Sequence, residues 1–205
     1  MLEQRTDGWL SERAGKVTAS AIYKVMAKTK TGYAASRQNY MMELLCQRLT
    51  GKREESFNSA AMQRGTELEP AARSHYEAES GVMVIECGFV DHPQVVGLGA
   101  SPDGLVGDSG LLEIKCPNTT THVDFLRTGR PDNKYQWQML CQMACTGRKW
   151  CDFVSYDDRL PLALQYKCIR FERDDERIGQ MIEEVQKFLA ELSDIENEMI
   201  GRMAA

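Results

Sequence analysis

Apolar residues recur at three- and four-residue steps through Ile178, Ile182, Val185, Leu189, Leu192 and Met199, which predicts one long amphipathic helix from Arg173 onward. Its stripe is core or a subunit contact. Met41, Leu44, Leu45 and Leu49 predict a helix over Tyr40–Leu49, closed by Thr50-Gly51. Tyr135–Cys145 is helical in pattern, with Gln138 and Gln142 one turn apart on a shared face beside Trp137, Met139 and Leu140. A short helix is expected over about Asp7–Arg13, then a break at Gly15 and a second helix starting at Thr18. Asn58–Ser80 reads as a helical stretch in which Thr66 and Glu69 fit a capping box, with Pro70 at a helix start or kink. Lys28–Asn39 lacks apolar periodicity and reads as a polar connection. Asp124–Lys134 is a loop or short helix carrying Arg127, Arg130 and Lys134.

Strand signals are shorter. Val82–Phe89 and Val95–Ala100 are β-rich runs separated by His92-Pro93, and Trp150–Ser155 and Leu164–Phe171 are two more. Over Leu112–Cys116, Leu112 and Ile114 alternate with Glu113 and Lys115, so the aliphatics enter the core and the two charges share the other, half-buried face. Gly107-Asp108-Ser109-Gly110 is turn chemistry, so Val95–Val106 folds back as a hairpin partner and brings Asp103 beside Glu113. With 205 residues and no repeat or linker, a single α/β domain over 1–205 is expected.

Composition adds limits. No apolar run approaches the roughly 18 residues that span a bilayer, and no signal peptide opens the chain, so a cytoplasmic protein with no membrane contact is expected. Seven cysteines, an odd number without Cys-x-x-Cys, argue for reduced thiols, and Cys141 and Cys145 for core packing. The net charge of −5 does not exclude nucleic acid, because a local basic lining suffices.

Two carboxylates side by side repel unless a cation sits between them or one takes a proton. Hard oxygen ligands of this kind suit Mg²⁺. Lys115 would then act on an attacking water or on charge developing at a phosphate. A Glu-x-Lys triplet on such a strand also reads as two solvated charges. Thr18, with Arg13 upstream, offers donors to an anion, or is an ordinary cap beside a surface arginine. Glu69 is either the capping-box partner or a further carboxylate at the metal. Gln138 and Gln142 either face solvent or position a water or phosphate.

Asp103 followed by Glu113-Ile114-Lys115 on a hairpin resembles the PD-(D/E)xK nuclease superfamily. Trp9-x3-Arg13-x-Gly15-x2-Thr18-Ala19-Ser20, Gly65-x3-Glu69-Pro70, Ser101-Pro102-Asp103-Gly104, Glu113-Ile114-Lys115-Cys116-Pro117 and Tyr135-x2-Gln138 occur in that order. Together they resemble the lambda exonuclease family, that is, YqaJ-type viral recombinases or phage alkaline exonucleases. The resemblance implies a restriction-endonuclease-like core, a central mixed β-sheet flanked by helices. It implies a Mg²⁺-dependent 5′-to-3′ exonuclease, with Mn²⁺ as substitute, on linear double-stranded DNA, preferably 5′-phosphorylated. Mononucleotides would be released and a 3′ single strand left for a strand-annealing recombinase partner. Asp103, Glu113 and the Ile114 carbonyl would hold metal, with Glu69 at a second metal or a water. Lys115 would activate or orient the attacking water, and Gln138 would orient Lys115 or the scissile group. Arg13, Ser20 and Ser101 would grip the terminal 5′-phosphate. The family assembles as a trimeric ring, which would confine the DNA topologically. A site- or structure-specific endonuclease and a non-catalytic DNA-end-binding protein are the alternatives.

Overall fold

A computed structural model describes residues 4–52 and 59–203; Asn58, the start of one expected helix, lies outside the described residues. Thr6 accepts from the Trp9 N–H and starts α1 (Asp7–Arg13), as the sequence predicts. After β1 (Val17–Thr18) come a 3₁₀ turn (Ala19–Ala21) and the four-residue α2 (Ile22–Val25). The helical stretch expected to start at Thr18 is thus present but short, a 3₁₀ turn leading into α2, and the Thr18 side chain makes no cap. Thr18 pairs in parallel with Gly99, its N–H donates to the Tyr40 hydroxyl at 3.2 Å, and strand pairing keeps its backbone extended.

The stretch expected as a polar connection is also structured. It forms the hairpin β2 (Lys28–Thr29) and β3 (Gly32–Tyr33), then runs directly into α3 (Ala35–Thr50). Its charges misled because one of them is internal. Arg37 is buried, donates to both oxygens of Glu191 at 2.7 and 2.9 Å, and stacks 3.9 Å from the Tyr33 ring. Next comes α4 (Ala60–Ser80), capped by Ser59, whose hydroxyl accepts from the Met62 N–H at 3.2 Å. Thr66 and Glu69 thus lie inside the helix and form no capping box; Pro70, also inside, has no N–H for the Thr66 carbonyl.

The remaining elements are β4 (Val84–Ile85), β5 (Val90–Asp91), β6 (Leu98–Ala100), β7 (Gly104–Val106), β8 (Gly110–Lys115), α5 (Thr119–Thr128), α6 (Asn133–Thr146), β9 (Trp150–Tyr156), β10 (Tyr166–Glu172) and α7 (Asp175–Met203). The main sheet has the order β10-β9-β8-β7-β4, with β8 and β9 parallel and the other pairs antiparallel; β1-β6-β5 form a second sheet. This is the expected mixed α/β architecture. The β7–β8 fold-back is the predicted hairpin, with Gly104 opposite Leu112 and Val106 opposite Gly110. Gly107 takes the left-handed conformation at the turn, φ +51°, and Arg148 Nη1 donates to the Gly107 and Gly110 carbonyls at 2.8 and 2.6 Å.

One face of β8 meets α4: Leu112 and Ile114 pack with Ala72, Tyr76 and Val154. Across the sheet, Leu111 and Phe153 join Met139, Leu140, Val185 and Phe188 of α6 and α7. Each large apolar side chain buried there contributes about 1.5–3 kcal/mol. The face of Glu113 is consequently covered by a helix layer, not half-open as the alternation alone suggests. The α7 stripe is mainly core, with Ile178, Val185 and Leu192 buried and only its end, at Met199, exposed. Cys141 and Cys145 are buried core thiols, as expected, and all seven cysteines are free. Among the described residues no helix is long and apolar enough to cross a membrane.

Candidate active site

Glu113 is fully buried, and its carboxylate is gripped from α6 and from its own strand. Gln138 Nε2 donates to Oε1 at 2.6 Å and Gln142 Nε2 to Oε2 at 2.5 Å, while the Lys115 ammonium pairs with Oε1. The four-residue spacing puts both amides on the side of α6 that meets β8, and the two-residue period of the strand puts Lys115 beside Glu113. A carboxylate excluded from water requires such partners.

Asp103 stands across the hairpin, just before β7, where its Oδ2 accepts the Ile114 N–H at 2.7 Å. Burial, then the Glu113 charge, push its carboxyl well above the usual carboxylate range, with Lys115 opposing. For Lys115 the balance runs the other way: burial alone would lower its pKa, but the Glu113 and Asp103 charges leave it above its ordinary value. The group is therefore a fixed cation. Glu69 adds to the field that raises Asp103, yet its carboxylate is paired with Arg5 and Arg73. Arg73 Nη2 reaches both Glu69 Oε1 and the Asp103 carbonyl at 3.3 Å, tying α4 to the site. The Cys116 thiol, raised to about 12 by burial and then by Glu69, is no nucleophile.

Among the described residues no group of three or more His, Cys, Asp or Glu is arranged to hold a metal unaided. What the site offers is two neighbouring carboxylates, Asp103 and Glu113. That donor set fits an ion such as Mg²⁺, which uses one or two protein carboxylates and keeps several waters. The repulsion that drives Asp103 upward is what a divalent cation between the pair would relieve.

Arg13, Thr18 and Ser20 line a pocket of about 70 Å³, together with Lys16 and Lys24. Arg13 Nη1 and Trp9 Nε1 both donate to the Ser101 hydroxyl, at 3.1 and 2.9 Å, and the Arg13 guanidinium lies 4.0 Å from the Trp9 ring centre. The three residues expected at a phosphate are thus brought together, and Ser101 is two positions from Asp103. The cationic side chains on the pocket are Arg13, Lys16 and Lys24.

Gln138 was expected to orient Lys115 or the scissile group; it acts on Glu113, the oxygen of which Lys115 shares. Sequence reasoning gave no role to Trp9, Arg5 or Arg73. Helical spacing could have found two of them, since Trp9 precedes Arg13 by four positions and Arg73 follows Glu69 by four.

A family model described as the YqaJ-like viral recombinase domain matches residues 8–149. The crystal structure of LHK-Exo, an alkaline exonuclease from Laribacter hongkongensis, is 58% identical, with 97% of this chain and 98% of that chain covered and a TM-score of 0.92. A structure of LHK-Exo in complex with dAMP matches at 59% identity over the same shares, also with a TM-score of 0.92. A phage-related exonuclease from Haemophilus somnus 129PT, 14% identical over 92% of this chain and 96% of that one, has a TM-score of 0.69 and shares the fold. No curated protein matches the chain.

Proposed function

The chain belongs to the YqaJ-like viral recombinase domain family and is a nuclease, and from that premise we propose that it digests linear double-stranded DNA as a metal-dependent 5′-to-3′ exonuclease. The observation that carries this reading is the meeting of Asp103, Glu113 and Lys115 two residues from the Arg13–Ser101 anion pocket. Arg13, Ser20 and Ser101 bind the terminal 5′-phosphate, which sets the first internucleotide phosphate against the carboxylates. Asp103, Glu113 and the Ile114 carbonyl are the residues to hold Mg²⁺, whose chemistry there is Lewis-acid stabilisation of charge on the phosphate oxygens. Lys115, held cationic, orients the attacking water and stabilises the same charge. The water oxygen bonds to phosphorus as the bond to O3′ breaks. A mononucleotide leaves with a 3′-hydroxyl, and the shortened strand keeps a 5′-phosphate. Glu69, locked by Arg5 and Arg73, steadies the rim on the α4 side. Gln138 and Gln142 fix Glu113. The unit is one domain, working in the cytoplasm as a trimeric ring and handing its 3′ single strand to an annealing recombinase.

The test is digestion of linear duplexes differing only in the 5′-phosphate, with Mg²⁺. Faster release of mononucleotides from the phosphorylated end is expected, and none from Asp103→Ala or Lys115→Ala. Cutting of a closed circle would turn the reading toward an endonuclease, and end binding without product toward a non-catalytic protein.

A further inference from the structure

On the far side of Lys115 lies a second cavity, of about 140 Å³. Phe125, Tyr135 and Phe153 line it, together with Lys115, Ser155 and Arg130. The aromatic rings are mutually braced: Phe125 meets Phe153 edge-on at 5.2 Å, and Tyr135 lies 5.5 Å from Phe153. Lys115 and Ser155 are register partners on β8 and β9. Asp103 and Ser101 belong to the opposite side of β8, at the start of β7. Across the strands the order is therefore Asp103 before β7, Lys115 on β8 and Ser155 on β9.

Ser155 is set for a purpose that packing does not supply. His122 is fully buried; the Leu164 carbonyl, 2.9 Å from Nε2, can only accept, so Nε2 carries the proton. Nδ1 then accepts the Ser155 hydroxyl proton at 2.7 Å, and Ser155 turns only lone pairs toward the cavity. An aromatic-lined space holding an acceptor suits a ring with N–H donors, which every nucleobase carries. A cavity of about 140 Å³ has room for one ring system.

We infer that this cavity seats the base of the second nucleotide of the digested strand, the one that keeps the scissile phosphate as its new 5′ end. The inference rests on the exonuclease reading above. Seating the second base fixes the phosphate against Lys115 before the cut and retains the shortened strand after it, without reading sequence.

The experiment measures the rate of the first cut on 5′-phosphorylated duplexes carrying an abasic (tetrahydrofuran) residue at the first, the second or no position. The wild-type protein should lose about tenfold when the second base is missing, as for loss of a base–aromatic contact. Phe125→Leu should lose about as much on the intact duplex and nothing further on the second-position abasic one. Thr121→Trp, at an exposed position of α5 that lines the cavity, should slow the intact duplex and be relieved by removing the second base. That relief survives any modest loss of stability in Phe125→Leu. The inference is overturned if the second-position abasic duplex is cut at the normal rate, or if both variants keep the wild-type ratio of abasic to intact rates. Failure to digest the intact duplex from its 5′ end would instead remove the underlying reading.

Discussion

Gln142 offers a test in which two opposing magnitudes decide the outcome. Its Nε2 holds Glu113 Oε2 at 2.5 Å in a fully buried setting, while its own Oε1 is buried with no donor among the described residues. Replacing Gln142 by Leu, similar in volume, forfeits a hydrogen bond to a charged group, about 1.5–3 kcal/mol. The same change removes a buried, unsatisfied acceptor, a relief of about 1–3 kcal/mol. The two nearly cancel, so Gln142→Leu should unfold within about 1 kcal/mol of the wild-type protein. Gln138→Leu removes one of the two donors to Glu113 Oε1, leaving the Lys115 ammonium, with no such relief, and should cost about 1.5–3 kcal/mol. Urea unfolding of metal-free protein, compared at equal m-value, separates them. Both variants should cut DNA about tenfold or more slowly, since Glu113 loses a donor that fixes its position. Gln142→Glu should be worst, because a second carboxylate facing Oε2 must take up a proton. If Gln142→Leu proves as destabilising as Gln138→Leu, the amide clamp is wrongly described.

Asp103 titrates high in the fold, from burial first and then the Glu113 charge, so metal-free protein should lose stability as pH rises from about 4 through that raised value. Asp103→Asn should abolish this loss while abolishing cutting; thermal melts in chelator from pH 5 to 8 check it. For Asp157, burial would raise the carboxyl, but donors from Arg159 and Thr119 outweigh it and hold the group low. Its contribution is present above about pH 4 and lost as pH falls below it, and Asp157→Asn should cost about 2–3 kcal/mol, less than a wholly buried pair because Arg159 is half exposed. Arg148→Ala frees the β7–β8 turn, and should cost about 1–3 kcal/mol with parallel loss of activity, read by urea unfolding and nucleotide release. Glu184, drawn down to about 2 against burial by Tyr33, Lys28 and Lys187, latches the β2–β3 hairpin to α7. Glu184→Gln should speed hydrogen exchange in residues 28–33 before it changes the core.

The hairpin carrying Asp103, Glu113 and Lys115 was legible because its signals are local: a two-residue alternation interrupted by a four-residue turn. Helices α1, α6 and α7 were legible for the same reason. What alternation cannot report is how many layers cover a face. Glu113 has the spacing of a solvent-facing residue, and only the packing of α6 across the sheet makes it internal. Arg37 is the same case in reverse, a charge within a polar run whose partner Glu191 lies 154 positions away. Thr18 does mark a helix start, but its side chain makes no cap and its backbone pairs with Gly99. In each instance a long-range contact overrode a local preference. Glu113 and Arg37 are thereby charges held in the interior.

That interior explains how the site divides labour between two like charges. Two amides and an ammonium converge on Glu113, whereas one backbone N–H serves Asp103. The proton that the pair takes up without a cation therefore goes to Asp103. Glu113 is held by three donors with Lys115 bound to it, and Asp103, borne on the hairpin's other arm, by a backbone N–H. Asymmetry of donors, more than the identity of the two carboxylates, makes one the anchor and the other the more loosely held partner. A chain with the same Asp-Glu-x-Lys spacing but an apolar helix in place of Gln138 and Gln142 would leave Glu113 buried with only the lysine as partner, and Oε2 would be an acceptor without a donor in the core.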